Sequence, residues 1–381
     1  MKKYIFAFGF FSLSYILCSA QTTAVEWFDK GTSLKKDAQY KDAAAAFKKA
    51  VALKPAYADA WHQLGWCYNE LGQYNDAVDA LKKEELNNPK DKASTNFEMG
   101  YAYNGLEKYD EALTRFNNAI QLDNSYALAY KERGNSYYKK KEYQKALDDF
   151  NKYSSLAENI EDADFYYKKG WCENELGKYN EAVESLKNCV EIDNTYSDAF
   201  SELGYAYYSL NMNDDAITNY RSAMNLKKES DYHPIFGMAD VYYDNLKNYD
   251  SAIVYFEKGL QLQKTNKSAY YKLGWCYNDR EKYNEAISPL QQALTLDPDY
   301  DQAKTELGYA YYQLKQYDDA LGIFRQIMNK DSKDELSRYY AGFCYYYKND
   351  QVSLQQMINE LTNLNTTNSL KYAETLKKYI K

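Results

Sequence analysis

The sequence predicts an all-α protein that is built from stacked repeats of similar structure. The segment LGWCYNELGQYNDAVDAL at residues 64–81 returns as KGWCENELGKYNEAVESL at 169–186 and as LGWCYNDREKYNEAISPL at 273–290. Shorter echoes recur every 34 to 36 residues, and apolar residues inside each interval fall at helical spacing. Glycine and proline number only 16 and 5, so few residues interrupt regular structure. Such recurrence suits a stack, in which each unit meets the same neighbours, better than a fold with one irregular core.

Residues 1–20 are predicted to form a secretory signal peptide. Two lysines precede the apolar run YIFAFGFFSLSYIL, and small residues follow it up to Ala20, where we expect cleavage. The mature chain would then begin at Gln21 and be exported, either to the periplasm or out of the cell. Two alternatives stay open: an uncleaved membrane anchor, although the run is shorter than the ~20 residues that span a bilayer, and lipidation of Cys18. The rest of the sequence holds no comparable apolar run, so we expect no membrane span after cleavage.

Ten repeats are predicted between residues 24 and 368, and each contains one characteristic small residue. These small residues are Gly31, Gly65, Gly100, Gly134, Gly170, Gly204, Ala239, Gly274, Gly308 and Gly342. The pattern around the second of them is Trp61-x-x-Leu64-Gly65-x-x-Tyr68, then Ala77-x-x-x-Leu81, then Pro89. This pattern resembles the tetratricopeptide repeat in both spacing and residue type, and the resemblance covers almost the whole mature chain.

The resemblance implies that each repeat is a pair of antiparallel α-helices, A and B. The pairs would stack into a right-handed superhelical solenoid whose concave surface is lined by the A helices. Residues 369–381 carry apolar side chains on one face, which predicts a C-terminal capping helix. The motif Tyr-Asn-Glu-Ala, at 179–182 and 283–286, predicts the start of helix B with Asn180 and Asn284 as N-caps. One extra residue near 245–248 predicts an irregular turn in repeat 7.

The ten repeats form a leading repeat followed by three copies of a three-repeat block. Repeats 2, 5 and 8 carry Gly-Trp-Cys, repeats 3, 6 and 9 carry Gly-Tyr-Ala, and repeats 4, 7 and 10 are less regular. Duplication of a three-repeat segment explains this order without reference to function. The end repeats depart from the pattern, with Lys30 where several others have Leu and Leu354 where Ala is expected, as terminal repeats that face water should.

The net charge excludes several classes of partner, and the cysteine count excludes a fully paired disulfide framework. The formal net charge of −8 becomes −10 when the two leader lysines are removed. An acidic chain without a basic stripe binds phosphate backbones and anionic membranes poorly, so we expect no nucleic acid and a neutral or basic partner segment.

Five cysteines follow the leader, an odd number that excludes a fully paired disulfide framework. Cys67, Cys172 and Cys276 recur at equivalent places, and we predict buried thiols.

The sequence offers little for catalysis or for metal binding. Its two histidines, His62 and His233, lie in repeats 2 and 7. We find no zinc-protease, nucleotide-binding, serine-hydrolase or Cys-x-x-Cys motif. An alternating run of Asp at 297–301 begins like a calcium loop but lacks the Gly and Glu that complete one. We therefore predict a protein that is not an enzyme and that has no cofactor, catalytic residue or metal site.

Helix A has a predicted face that is rich in aromatic and amide side chains. When the small residue of each repeat is numbered position 8, positions 4, 7, 8 and 11 form the apolar stripe that packs on helix B. Trp27 and Trp61 occupy position 4 of this stripe. Position 9 points about 150° away from the stripe and shares its side with positions 5 and 12. Tyr occurs 44 times, and its amphipathic ring suits a thin layer with one wet side.

The predicted groove consists of the side chains at these three positions. Position 9 holds Trp66, Tyr101, Trp171, Tyr205, Trp275, Tyr309 and Phe343; position 5 holds His62, Phe97, Tyr167, Phe236 and Tyr271; and position 12 holds Asn69, Asn104, Asn174 and Asn278. A large exposed aromatic surface usually marks a binding site. The alternative is that the rings pack against one another across adjacent A helices, which requires no ligand.

We therefore predict a non-enzymatic scaffold outside the cytoplasm that binds a protein or peptide in the predicted groove. The rival function is glycan binding in the cell envelope, because aromatic faces and amides also suit sugar rings. Peptide binding that uses acidic side chains of the groove should weaken with salt, whereas sugar binding should not.

Overall fold

Helices dominate the structure. The computed structural model describes residues 23–87, 89, 91–227 and 230–380, and the predicted signal peptide lies outside them. Across these residues there are twenty-one α-helices, one π-helix and no β-strand. The all-α prediction is therefore confirmed. The described residues divide into two compact units, one up to residue 160 and the other from residue 161 onward.

The first unit contains four helix pairs, in each of which helix A precedes helix B. They are α1 (Ala24–Lys36) with α2 (Tyr40–Leu53), α3 (Ala58–Glu70) with α4 (Tyr74–Leu86), α5 (Lys92–Gly105) with α6 (Tyr109–Leu122), and α7 (Ala127–Lys139) with α8 (Tyr143–Leu156).

The second unit contains six helix pairs and a final single helix. The pairs are α9 (Ala163–Glu175) with α10 (Tyr179–Ile192), α11 (Ser197–Ser209) with α12 (Asn213–Leu226), α13 (Tyr232–Asp240) with α14 (Tyr249–Leu262), α15 (Lys267–Asp279) with α16 (Tyr283–Leu296), α17 (Asp301–Gln313) with α18 (Tyr317–Lys330), and α19 (Glu335–Tyr347) with α20 (Gln351–Leu364). The single helix is α21 (Thr367–Lys377), which begins two residues before the predicted capping segment.

A short turn joins helix A to helix B in every pair, which makes the two helices antiparallel. The middle residue of the turn has a left-handed backbone, with φ between 52° and 71°. The next residue closes the turn through its backbone; the Lys178 N–H, for example, donates to the Glu173 carbonyl at 2.8 Å. Helix B then begins at the following residue.

This turn explains why the predicted N-caps are wrong. Helices α10 and α16 begin at Tyr179 and Tyr283, so Asn180 and Asn284 lie one residue inside the helix. The cap positions are held by lysines that make no side-chain cap hydrogen bond. The cap position is therefore the last residue of the turn, and where that residue is Asn248 or Asp350 its side chain does cap helix B, accepting from Ser251 N or Ser353 N.

Glycine at position 8 allows helices A and B to approach closely. A Cβ atom added at Gly308 would lie 2.6 Å from Cε1 of Phe324 in α18, and one at Gly274 would lie 2.4 Å from Cγ of Leu290 in α16. Glycine inside a helix costs ~1 kcal/mol relative to alanine. The close packing of the large side chain from helix B offsets that cost.

Repeat 7 contains the extra residue, but inside helix A and not in the turn. Helix α13 continues directly into π1, the π-helix Val241–Asn245, and the Leu246 N–H donates to the Val241 carbonyl at 3.0 Å. A π-bulge accommodates one more residue per turn than an α-helix. The turn at 246–248 consequently keeps the length that it has in other repeats.

Candidate functional site

The seven aromatic side chains at position 9 all contact other rings, and six of them are half-buried. In four cases the contact is with the tyrosine that begins helix B of the preceding repeat, 26 residues earlier. The ring centroids are 5.3 Å apart in Tyr40–Trp66, 6.0 Å in Tyr179–Tyr205, 4.9 Å in Tyr249–Trp275 and 6.0 Å in Tyr283–Tyr309, each edge to face. Tyr205 is the exception in burial, with 40% of its surface exposed. These tyrosines were not predicted as part of the groove, although their constant spacing is visible in the sequence.

The rings at position 5 form a second set of contacts between repeats. Each of three packs on a tyrosine just before the next helix A: Phe97–Tyr126 at 5.0 Å, Tyr167–Tyr196 at 4.9 Å and Tyr271–Tyr300 at 5.2 Å. Phe236 is only 9% exposed, so its placement on an open groove is wrong. Its ring fills the space above Gly259 of α14, where an added Cβ would lie 2.5 Å from Cε1 of Phe236.

His62 belongs to a polar cluster between repeats 2 and 3. Its Nδ1 atom lies 3.1 Å from Oε2 of Glu84, and its Nε2 atom lies 3.4 Å from Oγ of Ser94. The Thr95 hydroxyl donates to Oε1 of Glu84 at 2.8 Å. Burial lowers the pKa of His62, but the hydrogen bond and charge of Glu84 outweigh it and raise that pKa above its ordinary value. The cluster satisfies the buried Glu84 carboxylate.

The asparagines at position 12 connect each A helix to the next one. The Nδ2 atom of Asn278 donates to the carbonyl of Glu306 at 3.0 Å and to its Oε2 atom at 2.8 Å. Asn69 makes the same pair of bonds to Glu98, and Asn174 makes it to Glu202. These three asparagines are at most 5% exposed, so their placement as open groove amides is wrong. The helical wheel of one helix could not show that position 12 faces the following repeat.

One atom of this asparagine contact is left without a partner in the three Gly-Trp-Cys repeats. The Oδ1 atoms of Asn69, Asn174 and Asn278 are buried and accept no hydrogen bond from any described residue. Asn104 differs, because Ser136 of the next repeat donates to its Oδ1 atom at 2.7 Å. The next repeat carries alanine at that place in the other three cases.

Two cavities in the second unit are lined by five of the predicted groove residues. The acidic cavity has a volume of about 340 Å³ and is lined by Trp275, Asn278, Asp279, Glu281, Tyr283, Thr305, Glu306, Tyr309, Leu336 and Tyr340. The mixed cavity has a volume of about 480 Å³ and is lined by Tyr167, Trp171, Asp198, Ser201, Glu202, Lys227, Ser230, Asp231, Tyr232 and His233. The structure therefore brings together Trp275, Asn278 and Tyr309 in one place, and Tyr167 and Trp171 in another.

The two cavities differ in charge. In the mixed cavity, Lys227 Nζ donates to Asp198 at 2.6 Å and to Asp231 at 3.1 Å, so an internal cation offsets part of the charge of the three carboxylates there. The described side chains that line the acidic cavity include three carboxylates and no Lys, Arg or His. Burial raises the pKa of the Glu306 carboxyl, and the hydrogen bond from Asn278 opposes that shift. Burial also raises the pKa of Tyr283 and of Tyr340 to about 12, so both phenols are neutral at physiological pH.

Three family models match four stretches of the chain. Models described as "Tetratricopeptide repeat" and "TPR repeat" match residues 34–94 and residues 100–141 and 173–211. A model described as "Anaphase-promoting complex, cyclosome, subunit 3" matches residues 245–327. The chain is a tetratricopeptide repeat (TPR) protein. The matched segments lie in both units of this TPR protein and agree with the ten helix pairs.

Similar proteins include heat shock protein STI1 of Saccharomyces cerevisiae, 31% identical over 97 residues, and Hsp70-Hsp90 organizing protein 1 of Glycine max, 24% identical over 119 residues. These alignments cover 26% and 31% of the TPR protein but only 16% and 20% of the relatives. A crystal structure of the C-terminal part of a TPR repeat-containing protein from Cytophaga hutchinsonii is 18% identical, with a TM-score of 0.49, over 65% of this chain and 99% of that one.

The tryptophans of this TPR protein do not separate into a buried and an exposed class. Trp27 and Trp61 are half-buried at position 4, but Trp66, Trp171 and Trp275 at position 9 are half-buried as well. Lys35 covers Trp66, with Nζ 3.5 Å from the ring centroid. The alternative in which rings pack between neighbouring repeats therefore describes much of the aromatic face.

The cysteines of the described chain are buried thiols, as predicted. Cys67, Cys172, Cys189, Cys276 and Cys344 are free and buried. Burial raises the pKa of Cys67 to about 11 and that of the other four to about 12. In the part of the TPR protein that the structure describes, no three His, Cys, Asp or Glu residues are grouped to hold a metal ion. None of its described helices is long and apolar enough to cross a bilayer.

Proposed function

We propose that this TPR protein is a non-enzymatic scaffold that binds an extended segment of a partner protein at the acidic cavity. The observation that carries the proposal is the meeting of rings from consecutive A helices at one open site: Trp275 from α15, Tyr309 from α17 and Tyr340 from α19. Rigid aromatic side chains on successive helices offer contact area at little entropic cost. Protein binding is also the role suggested by the printed name of the Hsp70-Hsp90 organizing protein.

We further propose that the protein acts outside the cytoplasm. The support is the leader pattern alone: a basic start, an apolar run and small residues that end at Ala20. The intact mass of the exported protein tests this part. A chain that begins at Gln21 agrees with it, whereas a retained leader or an added lipid at Cys18 contradicts it.

An array of short random peptides, probed with the mature chain, tests the binding function. We expect a subset of peptides to bind the wild type and to lose binding when Trp275→Ala removes the anchor ring. Trp27→Ala is the matched control, because Trp27 is also half-buried but packs against the core of the first unit, where Lys49 Nζ lies 4.0 Å from its ring centroid. Equal loss in both variants would count against a site at the acidic cavity.

A glycan array run in parallel addresses the rival function. Binding of glycans that depends on Trp275, with no peptide bound, would replace the protein-segment proposal with glycan recognition. Added salt gives a second criterion, because peptide binding that uses the carboxylates of the cavity should weaken with ionic strength.

A further inference from the structure

We propose that the acidic cavity holds a cationic side chain, arginine or lysine, of the bound segment. This inference rests on the proposed function and specifies the chemistry of the partner at that site. Asp279, Glu281 and Glu306 supply three carboxylates, and the described residues that line the cavity supply no cation to neutralise them. A positively charged group that enters the cavity would remove this imbalance.

The rings of the cavity are arranged in a way that suits a cation. Tyr283 and Tyr309 are inclined at 81° with centroids 6.0 Å apart, and Tyr309 and Tyr340 are inclined at 59° with centroids 5.4 Å apart. Rings inclined to each other can present faces and edges around a common point. A cation over an aromatic face is attracted by the negative face of the ring, and more strongly where water is excluded.

The chain itself forms a contact of the proposed kind at two other places, with its own lysines. At repeat 8, Lys272 Nζ lies 5.0 Å from the centroid of Tyr243 and donates to Asp240 at 2.7 Å and to Asp244 at 3.0 Å. At repeat 2, Lys35 Nζ lies 3.5 Å from the centroid of Trp66. Lys35 occupies position 12 of repeat 1, one repeat before Trp66. In the repeat before Trp275, position 12 is Tyr243, and in the repeat before Tyr309 it is Asn278. Position 12 therefore supplies no lysine to the rings of the acidic cavity.

Asn278 holds Glu306 in the wall of the cavity, because its Nδ2 atom donates to the carbonyl and to the Oε2 atom of Glu306. Guanidinium and ammonium groups carry several donors and no acceptor, which matches a lining that is rich in carboxylate acceptors.

Two glutamates in equivalent positions allow the effect of charge to be tested separately from the effect of the contact between repeats. Glu306 and Glu202 accept the same pair of hydrogen bonds, from Asn278 and from Asn174 respectively. Glu202, however, lines the mixed cavity, where Lys227 is already present. Glutamine can accept the asparagine bond in either place, so Glu306→Gln and Glu202→Gln remove a charge from equivalent positions while they keep the contact between repeats.

Fluorine NMR of the mature chain labelled with fluorotryptophan measures binding at the site. The chain has five tryptophans, and the Trp275→Phe variant identifies the resonance of Trp275. The probes are acetylated and amidated Gly-Ser peptides with one central residue, which is Arg, Lys, neutral citrulline or Glu. We expect the Arg or Lys peptide to shift the Trp275 resonance at concentrations about tenfold lower than the citrulline peptide. Glu306→Gln should weaken Arg binding by a similar factor, and Glu202→Gln should leave it unchanged.

Each other outcome overturns the inference in a recognisable way. If the Arg and citrulline peptides shift the Trp275 resonance equally, the cation inference is wrong while segment binding at the cavity stands. Equal weakening by Glu306→Gln and Glu202→Gln would assign the effect to the asparagine contacts and not to charge. If the Arg peptide causes no shift up to its solubility limit, the inference fails on that result alone, and the peptide array then decides separately whether any segment binds.

Discussion

Ser136 Oγ donates a hydrogen bond to Asn104 Oδ1 at 2.7 Å, across the junction of repeats 3 and 4. The same hydroxyl lies 3.0 Å from the Glu132 carbonyl one turn earlier. Ser136→Ala should therefore leave the buried Asn104 oxygen unsatisfied and destabilise the protein by about 1–3 kcal/mol. The free energy of unfolding from urea titration measures this. A loss below a few tenths of a kcal/mol would mean that the oxygen finds water or another donor.

The reverse change should stabilise a junction that lacks the serine. Ala310 is fully buried and occupies, next to Asn278, the place that Ser136 holds next to Asn104. Ala310→Ser supplies a donor for the Asn278 oxygen and should raise the free energy of unfolding by about 0.5–1.5 kcal/mol. Ala310→Cys, of similar size but a weak donor, controls for volume. Destabilisation by both variants would show that the site has no room for the added atom.

Two glycines of the same helix pair should respond oppositely to alanine. Gly308→Ala places a Cβ atom 2.6 Å from Cε1 of Phe324 and should destabilise by about 1–3 kcal/mol through overpacking. Gly322 lies inside α18 with no side-chain or other backbone atom within 4 Å of an added Cβ. Gly322→Ala should stabilise by about 0.5–1 kcal/mol, because alanine restricts the unfolded chain and favours helix. Thermal denaturation of the two variants checks the opposite signs.

Glu306 should lower the stability of the protein at neutral pH. Burial raises the pKa of this carboxyl above its ordinary value of 4.5. Between the unfolded and the folded pKa the folded state holds more protons, so stability falls as pH rises through that window. Glu306→Gln cannot ionise and should be more stable than the wild type at neutral pH. Urea titration below pH 4.5 should show the difference disappear; an unchanged difference there would contradict this origin.

The thiols of the mature chain should be unreactive in the folded state. Because burial raises the pKa of each described cysteine to about 11 or 12, almost no thiolate is present at neutral pH. A chromogenic disulfide reagent should therefore detect the five thiols only after urea is added. Rapid reaction of one thiol in the folded protein would show that its helix opens locally.

The fold was largely predictable because its signals are local and repeated. The small residues at position 8 and the helical spacing around them predict ten pairs of helices, each of which the structure contains. The contacts between repeats were not predicted, since a helical wheel describes one helix and not its neighbour. Asn278 shows the limit: its position on the helix is correct, but the side chain meets Glu306 of the next repeat and not solvent.

The candidate site was predicted in part for the same reason. Trp275 and Tyr309 do line an open cavity, but only the structure adds Tyr283 and Tyr340, which lie on other helices. Tyr283 follows a rule that the sequence contains, since it precedes Tyr309 by the 26-residue spacing that recurs at Tyr40 and Trp66. Recognising such spacings requires knowledge of which positions touch across repeats, and that knowledge comes from packing.

The residue pair that joins the end of helix A to the next repeat is not the same at every junction, and this difference limits how the gene can recombine. Repeats 2, 5 and 8 all carry, in the last turn of helix A, an asparagine that contacts a glutamate in the next repeat. A crossover that joins repeat 2 to repeat 6 would therefore delete one block and keep a matched junction. The junction of repeats 7 and 8 is different, because there Asp244 meets Lys272 at 3.0 Å. A crossover that set Asp244 against Glu98 or Glu202 would bring two carboxylates together. Whole blocks can thus be gained or lost at some junctions, while the junction of repeats 7 and 8 must be inherited intact.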